Sequence, residues 1–288
     1  MDWVRRNTKR YGFKLPDVEK LRELASFVED PSKFRTRYGK LLTILNTNVD
    51  EGLLKTLVQF YDPVYRCFTF PDYQLVPTLE EYANLLGIPV SDKIPFNGLE
   101  AIPKPQVIAA ITHLKKSEID SIWTTKGNLP GLTSQFLMEK AFGCVETGNM
   151  ITFEAILALL IYGLVLFPNF NDFVDINAIR IFLIGNPVPT LLGDMYFSIH
   201  HRNRQGDGII VCCAPLLLKW IVSHLPSLLS SGKTERVCIG PEDSCLLLMV
   251  IFIGMPWLAM VWKPLTAVES SPTYPSLVHK EELTTTQS

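Results

Sequence analysis

Paired cysteines are missing from this sequence. Its six cysteines, Cys67, Cys144, Cys212, Cys213, Cys238 and Cys245, include no C-x-x-C pair. Scatter of this kind over 288 residues points to reduced, mostly buried thiols rather than a disulfide frame. The amino-terminal residues lack the apolar stretch of a secretory signal, so a reducing intracellular compartment is the expectation. Charge is not in excess either. Lys and Arg total 27 against 29 Asp and Glu, a net charge of −2, and the chain as a whole exerts no electrostatic pull on nucleic acid. No internal repeat of roughly 20–50 residues is visible, which excludes a solenoid. Gly232-Lys233-Thr234 has the look of the end of a phosphate loop, but Ser227 stands where that loop needs its first glycine, so the reading is rejected.

Apolar residues make up 47% of the chain, enough for a sizeable core in one large domain or two modest ones. Residues 1–14 are basic, with Arg5, Arg6, Lys9, Arg10 and Lys14 against Asp2, and read as a flexible arm. Apolar spacing then predicts helices over 17–28, 38–45 and 50–60, with Pro31 closing the first. Cys67–Phe70 and Tyr73–Val76 alternate around Pro71-Asp72, which predicts a hairpin. Thr78-Leu79-Glu80-Glu81 is a capping box: the Thr78 hydroxyl accepts from the Glu81 amide while the Glu81 carboxylate accepts from the Thr78 amide. Gly87 suits the left-handed position that ends that helix. Further helices are predicted at 105–115, 117–123, 131–142, 153–167 and 176–184, with Thr152, Asp175 and Thr190 as caps. Gly206-Asp207-Gly208 interrupts the chain before a last segment, 209–225. The expected fold is mainly α, a multi-helix globular domain with one small β-hairpin.

Five segments, in order and spacing, carry a resemblance. They are Arg37-Tyr38-Gly39-Lys40-Leu41-Leu42; the stretch from Phe68 ending Leu85-Leu86-Gly87-Ile88-Pro89-Val90; the apolar helix 153–169; Asn186-Pro187-Val188-Pro189-Thr190-Leu191-Leu192-Gly193-Asp194; and 212–226, from Cys212-Cys213-Ala214-Pro215 onward. Together they resemble the plant mobile domain family, in a transposon-associated branch common in legumes. The resemblance implies three parts: a basic arm and leading helix (1–36), a mobile-domain-like helical domain (37–226), and a divergent tail (227–288), expected to be aberrant or disordered. It implies a non-enzymatic, transposon-derived nuclear domain that binds protein partners, chromatin or nucleic acid. Relatives are linked to transposon silencing, genome stability and meristem maintenance. The family also carries an aminotransferase-like label. A pyridoxal-phosphate enzyme needs a Schiff-base lysine, a phosphate-binding loop and a partner for the pyridine nitrogen. None of the three is identifiable in this sequence, and no cofactor is expected.

The candidate sites follow. His200, His201, Arg202 and Arg204 form the densest cationic patch and suit phosphate or an acidic partner. The plainer account is a helix carboxy-terminus whose dipole favours cations. Cys212 and Cys213 with His200 or His224 suggest zinc, but adjacent cysteines serve one tetrahedral site poorly and no fourth ligand stands out. Asp172, Asp175 and Asp194 suggest the clustered carboxylates of a metal-dependent nuclease. Each has a local reason to exist, in a turn, a cap and a first helical turn. A degenerate transposase-like enzyme is therefore the alternative. Arg5-Arg6-Asn7-Thr8-Lys9-Arg10 reads as an import signal or a nucleic-acid-binding arm, set against a plain solvated terminus. Finally, 245–262 is eighteen residues without a charge, broken by Gly254 and Pro256, and supplies a third reading: a membrane-tethered fragment. The departure from the family after Pro226 is expected to mark a frameshift, a retained intron or a truncated element. A family-like continuation in a neighbouring reading frame would bear that out.

Overall fold

The structure, a computed structural model, describes residues 10–69 and 74–224. Arg5, Arg6 and Lys9, the Pro71-Asp72 turn, Gly232-Lys233-Thr234 and the run 245–262 lie outside the described residues. The fold is mainly α, with twelve α-helices and three small sheets among the described residues.

The chain enters on β1 (Arg10–Phe13), where a flexible arm was expected. Tyr11 and Phe13 are buried, and the backbone of this segment is paired, so the expectation is corrected for these residues. Four helices follow: α1 (Glu19–Ala25), α2 (Pro31–Tyr38), α3 (Leu41–Leu45) and α4 (Glu51–Gln59). Pro31 opens α2 rather than merely closing α1. The Asp30 carboxylate accepts from the Ser32 and Lys33 amides, and proline at the first helical position gives up an amide that would have no partner anyway. Leu21, Leu24 and Phe34 share one core with Leu157 and Trp220, so no packing boundary falls at residue 36.

The anticipated hairpin is present as β3 (Cys67–Thr69) and β4 (Gln74–Leu75), with β2 (Tyr61–Asp62) added along its other edge. The capping box forms as read from the sequence. Glu81 N donates to Thr78 Oγ1 at 3.2 Å and Thr78 N to Glu81 Oε2 at 2.9 Å, opening α5 (Leu79–Leu86). Gly87 closes α5 at φ 69°. After a long irregular stretch come α6 (Pro105–Thr112) and α7 (Lys116–Ile122). Then β5 (Trp123–Lys126) and β6 (Leu129–Thr133) form a second hairpin, which takes Trp123 and Gly131–Thr133 from the ends of two expected helices. Its turn falls at Gly127-Asn128, both at positive φ, a signal the apolar spacing had masked.

An α-hairpin of α8 (Ser134–Glu146) and α9 (Met150–Ile161) fills the centre. The cap of α9 is Asn149, whose Oδ1 accepts from the Thr152 amide at 3.3 Å, so Thr152 is a capped residue and not the cap. The helix ends in a π-turn, Tyr162–Leu166, before Pro168. Every residue from Thr152 to Pro168 is buried. Glu154 is among them, and Arg37 Nη1 holds its carboxylate at 3.0 Å. The short β7 (Phe173–Asp175) joins β6 antiparallel, and α10 (Ile176–Ile184) starts at the expected Asp175 cap. The chain then runs through α11 (Val188–Gln205), β8 (Asp207–Ile210) and α12 (Ala214–His224). Helix α11 begins before Thr190, whose Oγ1 is buried without a hydrogen-bond partner among the described residues instead of capping. Strand β8 pairs in parallel with β1, from Arg10 opposite Asp207 to Phe13 opposite Ile210.

Candidate functional site

Helix α11 carries the cationic patch. Its start is fixed by Asn186, which is 1% exposed and donates through Nδ2 to the Lys93 carbonyl at 2.8 Å. Leu191, Met195 and Ile199 recur at helical spacing and are buried, and the Tyr196 hydroxyl reaches the Pro77 carbonyl at 3.4 Å. The helix stops at Gly206, in the left-handed conformation at φ 87°.

The four candidate residues diverge around the helix. His200 turns inward, edge-on to Tyr61 with ring centroids 6.4 Å apart, and its Nδ1 is buried without a partner among the described residues. It does not belong to a surface patch, which corrects the expectation. His201 is exposed and stacks on the Phe197 ring, with centroids 5.8 Å apart and planes within 8°. Arg202 folds back, Nη1 donating to Gln205 Oε1 at 2.8 Å. Arg204 is exposed. Arg202 and Arg204 occupy the last turn, where they offset the helix dipole as the plainer account expected.

The β1–β8 pairing adds a cation from elsewhere in the chain. Arg10 lies opposite Asp207, two residues beyond Gln205. Arg5, Arg6 and Lys9 directly precede Arg10 in sequence. Neither stretch is basic enough alone to stand out. The pairing brings Arg10 to the carboxy-terminal end of α11.

The other candidates do not assemble. Asp172 sits in an exposed turn at φ 56°, its carbonyl accepting from the Ser134 amide. Asp175 is 1% exposed, and both its oxygens are engaged. Oδ1 accepts from the Asn177 and Ala178 amides and Oδ2 from Asn169 Nδ2. Asp194 lies in the second turn of α11 rather than the first. Burial and then the Asp175 charge push its carboxyl up to about 6. Cys212 and Cys213 are buried. Burial drives both thiols upward, Cys213 to about 12. Among the described residues no three His, Cys, Asp or Glu side chains meet to hold a metal.

His224 is instead engaged with Glu81. Its Nε2 lies 2.9 Å from Glu81 Oε1, while the Trp220 indole N–H donates to Glu81 Oε2 at 3.1 Å. Burial alone would raise the Glu81 pKa; the Thr78 and Trp220 hydrogen bonds and the His224 charge bring it below the usual value. One carboxylate thus caps α5 and ties α12 to it. The sequence showed the cap, but nothing in residues 78–81 signals a partner 139 positions away. An open cleft of about 550 Å³ lies beside α7 and α8. Within it Lys140 Nζ meets Glu118 Oε1 at 2.5 Å. No helix among the described residues is long and apolar enough to cross a membrane.

Sequence reading overlooked Phe197. The spacing Gly193, Phe197, His201, Arg204 was visible as one helical face, but the adjacent histidines and arginines drew the eye to a contiguous string.

Comparison with known proteins yields one match. The profile of a family described as a domain of unknown function, DUF7745, matches residues 21–237. No curated protein and no solved structure matches the chain. Since the match covers most of the 288 residues and nearly all of the core just described, the chain belongs to the DUF7745 family.

Proposed function

We propose that the chain is a non-enzymatic, transposon-derived interaction domain of plant mobile-domain type, associating in the nucleus with chromatin or nucleic acid. By resemblance it serves transposon silencing, genome stability and meristem maintenance. One observation supports the reading: the parallel pairing of β1 with β8 brings Arg10 to the cationic end of α11. Arg10 and the basic end of α11, far apart in sequence, make one polyanion-facing region, although the net charge is −2. The test is chromatin fractionation of the tagged full chain from plant nuclei. The chain is expected in the chromatin fraction, released by raised salt. An Arg10→Gln/Arg204→Gln variant is expected to elute at lower salt. Recovery in cytoplasmic extract, or in microsomes as a membrane-tethered fragment would behave, overturns the reading.

A metal-dependent nucleic-acid enzyme is the alternative, favoured by a single observation, the raised pKa of Asp194 beside Asp175. Metal-dependent DNA cleavage by the full chain that is lost in Asp194→Asn would establish it. Cleavage unaffected by that substitution, or none, removes it.

A further inference from the structure

Phe197 is 72% exposed on the outer side of α11, away from the buried stripe of Leu191, Met195 and Ile199. It is not a stray apolar residue. Its ring lies parallel to the exposed His201 imidazole one turn on, and Arg204 follows on the same face. One turn before it on that face stands Gly193. Helical side chains lean toward the preceding turn, so residue 193 is the one that would cover the outer side of the Phe197 ring. At Gly193 no atom lies within 4 Å of where a Cβ would stand. The face therefore presents, in order, an open gap, an aromatic ring, an imidazole stacked on it, and a guanidinium. Arg10 and Arg202 stand near its carboxy-terminal end, with Asp207 opposite Arg10 the acidic group there.

From this we infer that the Gly193–Phe197–His201–Arg204 face is a stacking platform for single-stranded nucleic acid. The inference rests on the polyanion reading of the same end of α11 and names its ligand more closely. A base stacks on the open side of the Phe197 ring, in the gap that Gly193 leaves. The phosphates on its carboxy-terminal side run past Arg204 and Arg10. Flat π-faces are accessible only on bases outside a duplex, whereas a duplex offers this face phosphates alone. An acidic peptide would satisfy the guanidinium groups but would leave the gap and the parallel rings unused.

Fluorescence anisotropy with the full chain tests this, using labelled oligo-dT and oligo-U of about 12 nucleotides and a duplex of the same length. Single strands are expected to bind more tightly than duplex. Phe197→Ala is expected to weaken single-strand binding about tenfold and leave duplex binding unchanged. Gly193→Leu fills the gap without touching a charge and is expected to weaken single strands similarly, while the helix gains stability from losing a mid-helix glycine. Arg204→Gln weakens both ligands and lowers the salt slope by about 0.7 for the single strand. Equal binding of oligo-dT and oligo-U is expected of stacking and phosphate contacts; a strong preference for one sugar with Phe197→Ala inert overturns the platform. Unchanged single-strand affinity in Phe197→Ala and Gly193→Leu also overturns it and leaves the broader polyanion reading in place. Failure of the unaltered chain to bind any nucleic acid overturns both. Phe197-dependent binding of a Glu-rich peptide in place of oligonucleotide assigns the face to protein and overturns the inference.

Discussion

Helices α9 and α11 divide the labour of this fold. From Thr152 to Pro168, α9 and its π-turn keep every residue out of water, and even Glu154 is neutralised by Arg37. Helix α11 is longer, yet buries only Val188, Leu191, Met195, Ile199 and Asn203. A helix apolar all round can serve only packing; one with a single apolar stripe leaves the rest of its circumference open to selection for other purposes. The glycines make the same point. A Cβ on Gly163, in the π-turn, would stand 2.6 Å from the Val174 side chain, whereas one on Gly193 in α11 would meet nothing. The first glycine exists because there is no room, and the second leaves room unused by the fold.

Substitutions that sharpen this contrast fall in a clear order. Leu157→Ala, at a fully buried position in α9, is expected to cost about 2–5 kcal/mol in chemical denaturation. Phe197→Ala in α11 is expected to stay within about 0.5 kcal/mol of the unaltered chain. A loss as large at Phe197 as at Leu157 would break the distinction between packing helix and presenting helix.

Next in size is Asp194, the misfit of α11. Its folded pKa, about 6 against an ordinary 3.8, means that the folded chain holds the proton more tightly than the unfolded chain. The group is neutral to stability below its unfolded pKa. It becomes a liability as pH climbs from about 4 through 6, and stays one above. The difference corresponds to about 3 kcal/mol. Asp194→Asn is therefore expected to raise the melting temperature at pH 8 and leave it nearly unchanged at pH 4. Equal effects at both pH values would show that the carboxyl is not charged in the folded chain's interior.

Gly163→Ala is expected to cost about 1–3 kcal/mol by overpacking against Val174. Gly193→Ala is expected to stabilise by up to about 1 kcal/mol, as for an exposed mid-helix glycine. Paired thermal melts decide, and the same sign at both positions would remove the glycine half of the comparison. Outside the comparison of the two helices, Thr78→Ala is expected to cost about 1 kcal/mol from the lost cap. Trp220 fluorescence should report it, since the indole shares Glu81 with the cap.

Local chemistry accounts for what the sequence made legible. The Thr78–Glu81 box, the Asp175 cap and the glycine stops at 87 and 206 depend on a few consecutive residues, and each formed as read. The buried stripe Leu191, Met195, Ile199 followed from helical period alone. Failures came where a distant partner decides. Arg10–Phe13 is a strand only because Asp207–Ile210 lies beside it, and no pattern within four residues announces a parallel partner that far along. Residues 131–133 were absorbed into a helix because their apolar spacing suits either period, and pairing with Phe173–Asp175 settled the matter. Of the site, the charges were legible and their directions were not. His200 and His201 are neighbours in sequence and face apart in space, since successive helical residues are turned by about 100°.

The clasp between the two ends of the domain has a consequence for how the protein is made. Arg10–Phe13 leaves the ribosome well before the strand it pairs with, which is about 200 residues behind it. Until then the β1 edge, though it can pack on α4, is unpaired and exposed to whatever else is nearby. Closure is a late, long-range step, so shortening the chain ahead of Ile210 is expected to release the first strand as well as remove the last helix.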